Sequence, residues 1–402
     1  MDNRLIWAYF MRVKLLVFIF SSWQKERDAF MRFRKKFLAI LLAVIITSIA
    51  FFVAFIQPAP SASVGTQTQN WLSGWNYRKS HTIAGSPGAG ADYQIKIIAH
   101  YQKGADLGSD VYLDSKCQTN FNDVRFTDDN GVTPFDYWLE TKTDGNYAFF
   151  WVKVNANLDY NQTIYIYYGN STVSSASNID KTFPFADDFS GSSLNATKWR
   201  PFGSGKVTVA GDECVLESVP EERGWIYILG NTLVGTNYSI RFSSLVIEQG
   251  ADRWTHHGFA TIFNSSGNQG GRIDEYPNYI TASQESTYYA WSLRTRAYAN
   301  TTRVDISNLE PNVGTFYTYE IQRNGTTNVI LTCDNTYQAS ISTNVPSVNL
   351  GALFGADNAG SPLYSVTVID WVIIRKYVAN EPLQGAWGTE ESLLTNKIFG
   401  VV

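Results

Sequence analysis

From Trp71 onward, clusters of Gly, Asn and Asp cut the chain into short runs of β-forming residues, and few folds accommodate that punctuation. The runs YRKSHTI, YQIKIIAHY, DVRFTD, FDYWLE, YAFFWVKVN and TIYIYYG are divided by turns that include SPGAGAD, TDDNG and TDGN. Their lengths and spacing predict an antiparallel sandwich. In TIYIYYG, Ile164, Ile166 and Tyr168 fall on one side of the strand, and Tyr165 and Tyr167 on the other. The isoleucines are expected to face a core and the tyrosines to half-cover the opposite face. Past residue 183 the pattern resumes with YSIRFSSLVIE, HGFATIF, TYYAWSLRTRAY, FYTYEIQRNGTTNVILTCDN and VNLGALFGA, where Asn324-Gly325 makes a hairpin turn. Aromatic residues reach 15%, with 12 Trp and 23 Tyr, which favours strands. Hydrophobic content of 44% and charged content of 17% fit neither a disordered chain nor a multi-pass membrane protein.

The first 70 residues differ in kind. Phe37–Ile56 is an uncharged run of 20 residues, about 30 Å as a helix and enough for one bilayer core. Arg32, Arg34, Lys35 and Lys36 stand directly before it, so the positive-inside rule keeps the N-terminus cytoplasmic and sends the body out. A retained single-pass anchor and a signal segment cleaved after Ser63 both fit. Met31 also fits as a start, which would leave 1–30 untranslated. Residues 58–70, rich in Pro, Ser and Gln, read as a linker.

Residues 1–36 hold nine Lys/Arg against three acidic residues. The rest carries 23 basic and 33 acidic residues, a net −10. An acidic body argues against a nucleic-acid partner. Cys214 and Cys333 lie on strand-like runs and either pair as a disulfide or stay buried as free thiols. Asn-x-Ser/Thr triplets at Asn161, Asn170, Asn195, Asn237, Asn264, Asn300 and Asn324 all fall on the outer side as glycan acceptors.

WNYRKSHTI, DVRFTDDNGVTPFDYWLE, AFFWVKV and TIYIYYGNSTVSSAS resemble the domain-of-unknown-function family 2341 across residues 71–178. The resemblance implies a secreted or surface protein, archaeal or bacterial, in which this domain stands beside a lectin-like sandwich. It supplies no catalytic residue. NIDKTFPFADDFSGSSLNATKWRPFG resembles the opening of a concanavalin A-like lectin/glucanase (LamG-like) jelly roll, and YSVTVIDWVIIRKY resembles its closing strand. That second resemblance covers 183–391 and leaves 392–402 as a tail. The expected fold class is therefore all-β: two tandem antiparallel sandwiches after one N-terminal transmembrane helix.

Glucanases of this fold carry a Glu-x-Asp-x-x-Glu strand that sets two carboxylates on one face. The chain lacks it, since Asp274 and Glu275 are adjacent and point apart on a strand. The expectation is a binding protein and not an enzyme. Candidate ligand-binding residues are Trp254 and His256 on one strand, Arg272, Asp274 and Tyr276 on another, and Tyr288, Arg294 and Arg296 on a third, with Trp291 and Leu293 facing inward. Aromatic rings stack on sugar faces while Arg and Asp bond hydroxyls. Abundant aromatics that merely cover a sheet would give the same pattern. The jelly-roll resemblance implies a structural Ca²⁺ near Asp188 and Asp370, and no other cofactor is expected. Expected partners are glycans or surface proteins, with the bilayer at residues 37–56. A spacer in a surface assembly is the alternative function.

Overall fold

A computed structural model describes residues 70–393 apart from 221–223, 248–253, 262–277, 286–290, 298–299, 307–311, 336 and 359–362. Among the described residues the protein is built of strands with a single one-turn helix, α1 (Ile179–Thr182), capped by the Asn178 side chain on the Lys181 N–H. No described helix is long and apolar enough to cross a membrane. The Phe37–Ile56 segment lies outside the described residues.

The first sandwich opens with β1 (Tyr77–Ala84), β2 (Tyr93–His100), β3 (Asp110–Tyr112), β4 (Arg125–Thr127), β5 (Tyr137–Thr143), β6 (Tyr147–Val154) and β7 (Gln162–Tyr168). After α1 come β8 (Phe185–Asp187), β9 (Trp199–Gly203), β10 (Lys206–Ala210), β11 (Glu213–Glu217), β12 (Trp225–Gly230), β13 (Tyr238–Val246), β14 (Trp254–Ala260), β15 (Asn278–Glu285) and β16 (Trp291–Ala297). The chain continues through β17 (Asn300–Ile306), β18 (Tyr317–Asn324), β19 (Asn328–Cys333), β20 (Tyr337–Ile341), β21 (Gly351–Asp357) and β22 (Val366–Lys376). It ends with β23 (Leu383–Trp387) and β24 (Glu391–Ser392).

These strands form four sheets. Sheet I runs β23-β1-β7-β4, with β24 also on β1, and sheet II runs β3-β2-β6-β5. Sheet III runs β10-β11-β22-β13-β18-β19-β20, with β8 on β22, and sheet IV runs β17-β16-β15-β14-β21-β12-β9. All pairs are antiparallel except β2–β3. Sheets I and II enclose one core, where Ile164, Ile166 and Tyr168 meet Ile95, Ile97, Phe150 and Val152. Sheets III and IV enclose a second, where Ile240, Phe242, Ile321 and Ile374 meet Phe259, Ile280, Leu293 and Phe354. A third apolar cluster joins the sandwiches: Trp138 and Trp151 from sheet II pack with Ile179, Phe183, Ala186, Trp371 and Ile373. Both faces of sheets II and III are therefore covered. In β7 the tyrosines do more than half-cover the second face: Tyr167 is buried and its hydroxyl donates to the Gly131 carbonyl.

One local expectation changes and one open alternative is decided. Residues 383–391, assigned from sequence to the jelly roll, hydrogen-bond to β1 and complete sheet I. Cys214 and Cys333 form no disulfide. They sit on β11 and β19 of one sheet with β22, β13 and β18 between them. Four strand spacings make roughly 19 Å, and a disulfide needs Cα atoms within about 7 Å. Burial pushes both thiols up to about 12, so they are inert core groups.

Two buried histidines set an acid limit on stability. His257 faces the second core between Thr367 and Ser244, and burial pushes its pKa down to about 3. His81 is stacked on Trp387 at 3.8 Å, and burial lowers it too, against the Gln384 acceptor that favours its charge. Both are neutral in the fold, whereas an unfolded histidine takes a proton near pH 6.5. Stability is thus full above about pH 6.5 and falls as pH drops toward the folded pKa, by up to about 1.4 kcal/mol per pH unit per histidine. Urea midpoints measured from pH 7.5 to 4.5 should decline, and His257→Gln should flatten the decline. Equal slopes in both proteins would remove His257 as the cause.

Candidate functional site

The outer face of sheet IV carries polar chemistry where a plain sandwich would show scattered surface residues. One row of register partners crosses all seven strands: Asp305, Ser292, Ser283, His256, Gly355, Tyr227 and Phe202. The alternation of each strand explains the row. In β14, Phe259 and His257 point into the core, so Trp254 and His256 take the other face. In β12, Ile226 and Ile228 are core, so Trp225 and Tyr227 face outward. In β16, Trp291 and Leu293 are core, which leaves Ser292 and Arg294 outside.

Hydrogen bonds tie the row together. His256 Nδ1 lies 2.7 Å from Ser283 Oγ, which lies 3.0 Å from Thr281 Oγ1. Ser292 Oγ donates to the Ser283 carbonyl at 3.2 Å, and Arg294 Nε donates to Ser292 Oγ at 3.4 Å. Rings cover the network. Tyr227 stacks on His256 with centroids 6.1 Å apart, Trp254 meets His256 edge-on at 6.0 Å, and the Arg294 guanidinium lies 5.9 Å from the Trp254 centroid. Trp225 adjoins Tyr227 at 5.7 Å. Gly355 makes this possible: a Cβ there would sit 1.9 Å from Tyr227 Cδ1, so the tyrosine ring lies flat on the strand between it and His256. Tyr227, His256, Ser283 and Ser292 are fully buried, while Trp254, Trp225 and Phe202 are half-exposed at their margin. Asp357 is buried and pairs in register with both Trp254 and Trp225.

Of the residues singled out from sequence, Trp254, His256 and Arg294 therefore meet in one network, and half-buried Arg296 stands opposite Tyr279 on the neighbouring strand. Arg272, Asp274, Tyr276 and Tyr288 lie outside the described residues. The sequence reading missed Trp225, Tyr227, Ser283, Gly355 and Asp357. Alternation in WIYILG and the glycine in LFGAD carried the signal, but only the sheet order brings these strands beside β14.

The Asp188 and Asp370 pair is a poor calcium site. Burial, followed by the weaker repulsion of Glu213, Asp212 and Asp188, raises the Asp370 pKa. Asp188 accepts from the Ser190 N–H in its own turn. Among the described residues no group of three or more His, Cys, Asp or Glu is placed to share a metal, and Ca²⁺ takes about 6–8 oxygens. The donor set does not fit the ion. Of the sequon asparagines, Asn161, Asn195, Asn237 and Asn300 are exposed, Asn170 and Asn324 are half-buried, and Asn264 lies outside the described residues.

Comparison with known proteins adds three findings. The profile of the domain of unknown function DUF2341 matches residues 120–202, overlapping the span read from sequence and continuing through α1 into β9. Solved structures similar to the chain include a glycosyl hydrolase family protein from Mycobacterium fortuitum (12% identity, TM-score 0.38, 48% of this chain and 99% of that one). An immunostimulatory antigen and pseudo β-1,3-glucanase of Mycobacterium tuberculosis and a β-1,3-glucanase from Mycobacterium marinum align equally well (each 12%, TM-score 0.38, 48% and 98%). No curated protein matches. These comparisons correct the expectation of a non-enzyme. The neighbours are described as a glycosyl hydrolase family protein and a β-1,3-glucanase.

Proposed function

We propose that the outer face of sheet IV is a carbohydrate-binding surface of a membrane-anchored protein whose body lies outside the cytoplasm. The observation that carries the binding reading is the half-exposed rim of Trp254, Trp225 and Phe202, held in place by the buried polar network of His256, Ser283, Ser292 and Arg294 beneath it. Flat rings on a rigid support are what a sugar face stacks on. The basic residues before Phe37 support the membrane placement, and the seven Asn-x-Ser/Thr triplets agree with an outer body. A glycan array and insoluble-polysaccharide pull-down with the full chain test the binding. Trp254→Ala and Arg294→Ala should each weaken it roughly tenfold or more, and no binding to any glycan by folded protein would sink the reading. Fractionation with and without residues 1–56 tests the anchor, since a chain that stays with membranes after the deletion would refute it.

One feature favours a hydrolytic reading of the same face. Asp357 stands opposite Trp254 on β21, and Glu285 takes the register position opposite Trp254 on β15. These backbone positions are two strand spacings apart, about 10 Å. Reducing-end release should then accompany binding and disappear in Asp357→Asn while binding persists. Binding without release in the parent chain would leave the surface a lectin.

A further inference from the structure

Beside the apolar cluster that joins the sandwiches, sheets II and III open into a cleft of about 260 Å³ whose lining includes Lys96, Arg241, Glu320, Gln322, Arg375 and Gln384. Its carboxylates are already engaged. Glu320 Oε1 accepts from Arg375 Nη2 at 2.7 Å. Glu381 accepts from Arg375 at 2.6 and 2.8 Å and from the Tyr93 hydroxyl at 2.8 Å. Glu140 accepts from Trp151 Nε1 at 2.6 Å and from Arg241 Nη2 at 3.3 Å. Two cations keep unused donors. Arg241, nine-tenths buried, has no hydrogen-bond partner for Nε, and its Nη1 stands 3.8 Å from Glu320. Lys96 Nζ lies 4.2 Å from the Phe149 ring, and among the described residues no carboxylate comes within ion-pair distance of it. Burial, then the charge of Arg241, lowers the Lys96 pKa against the weaker pull of Glu140 and Glu320.

We infer that this cleft binds a small carboxylate-bearing ligand, of the size of a single acidic sugar, with its carboxylate held by Lys96 beside Arg241. The volume lies below the roughly 300–1,000 Å³ of sites for drug-sized molecules. Gln322 and Asn335 at the lining offer amide groups for hydroxyls. The site is separate from sheet IV and does not depend on the function proposed there. Because its walls come from both sandwiches, an occupant would hold them together.

Isothermal titration calorimetry of the full chain with D-glucuronate, acetate and D-glucose tests the inference. Glucuronate should bind and glucose should not. Acetate in excess should displace glucuronate, which would assign recognition to the carboxylate. Lys96→Gln should weaken glucuronate roughly tenfold or more. If that variant does not fold, the ¹³C-dimethylated lysine spectrum of the parent chain replaces it, and one lysine resonance should move on adding glucuronate. Glucose binding as well as glucuronate, undiminished affinity in Lys96→Gln, or an unmoved lysine spectrum would each overturn the proposal.

Discussion

Replacing Glu320 by Gln should cost about 3–5 kcal/mol of unfolding free energy, the range for removing one partner of a buried ion pair. Glu320 and Arg375 are both more than nine-tenths buried. Their contacts run from Arg375 Nη2 and Nε to one carboxylate oxygen, at 2.7 and 3.1 Å. Arg241 leans on the same carboxylate from β13. Without that charge two guanidinium groups stay buried beside a neutral amide. Burial alone would push the Glu320 carboxyl up, but Arg375 and Arg241 together hold it below its usual value. A carboxylate with a depressed pKa contributes stability above the unfolded pKa near 4.3 and loses it as pH falls through the folded value. The deficit of Glu320→Gln should therefore be complete at pH 7 and shrink below about pH 4. Urea unfolding at pH 7 and pH 3.5 reads both effects. A triple change, Glu320→Leu with Arg375→Met and Arg241→Met, should not recover the loss, because it strips Glu381 and Glu140 of their arginine partners. A single-variant deficit under about 1 kcal/mol at pH 7 would show that water reaches these groups.

How much of this was legible in the sequence depends on how far apart the interacting residues lie. Alternation within a strand is local, so TYYAWSLRTRAY already separates Trp291 and Leu293 from Ser292 and Arg294. Turn residues are local too, and Asn324-Gly325 closes the β18–β19 hairpin as its chemistry predicts. Alternation tells which face a residue takes, not what covers that face. Trp138, Trp151 and Trp371 form the joint between the sandwiches, which no single strand's alternation reveals. Cys214 and Cys333 each read as strand residues, and only strand order shows them too far apart to bond. The candidate site has the same limit. Trp254 and His256 are neighbours in sequence, but Tyr227 reaches His256 only because β21 inserts Gly355 between their strands.

The second large effect concerns the C-terminal strands. A chain stopped after Pro382 should melt in two steps, the first sandwich roughly 10 °C or more below the parent transition. LQGAW carries no strong strand pattern, and its strand exists because β1 offers an open edge. β23 and β24 fill that edge, and without them β1 presents unpaired N–H and C=O groups that invite aggregation. The side chains add specific losses. Arg78, buried with 1% of its side chain exposed, pairs with Glu391 at 2.8 Å and would lose its only carboxylate among the described residues. Glu390 takes the Tyr168 hydroxyl at 2.7 Å and Lys116 at 2.5 Å. Trp387 stacks on His81 and donates to the Gly108 carbonyl at 2.9 Å. Losing Glu391 costs about 1–3 kcal/mol by itself, since Arg78 keeps the Asn70 carbonyl and the Tyr167 hydroxyl, and about 4–8 °C per kcal/mol holds for a domain of roughly 100 residues. Differential scanning calorimetry with limited proteolysis of the truncated chain reads the outcome. Glu391→Gln isolates the Arg78 contribution, and Trp387→Ala isolates the stack. A single transition at the parent temperature would mean that the first sandwich closes its own edge and that residues 383–392 only rest against it.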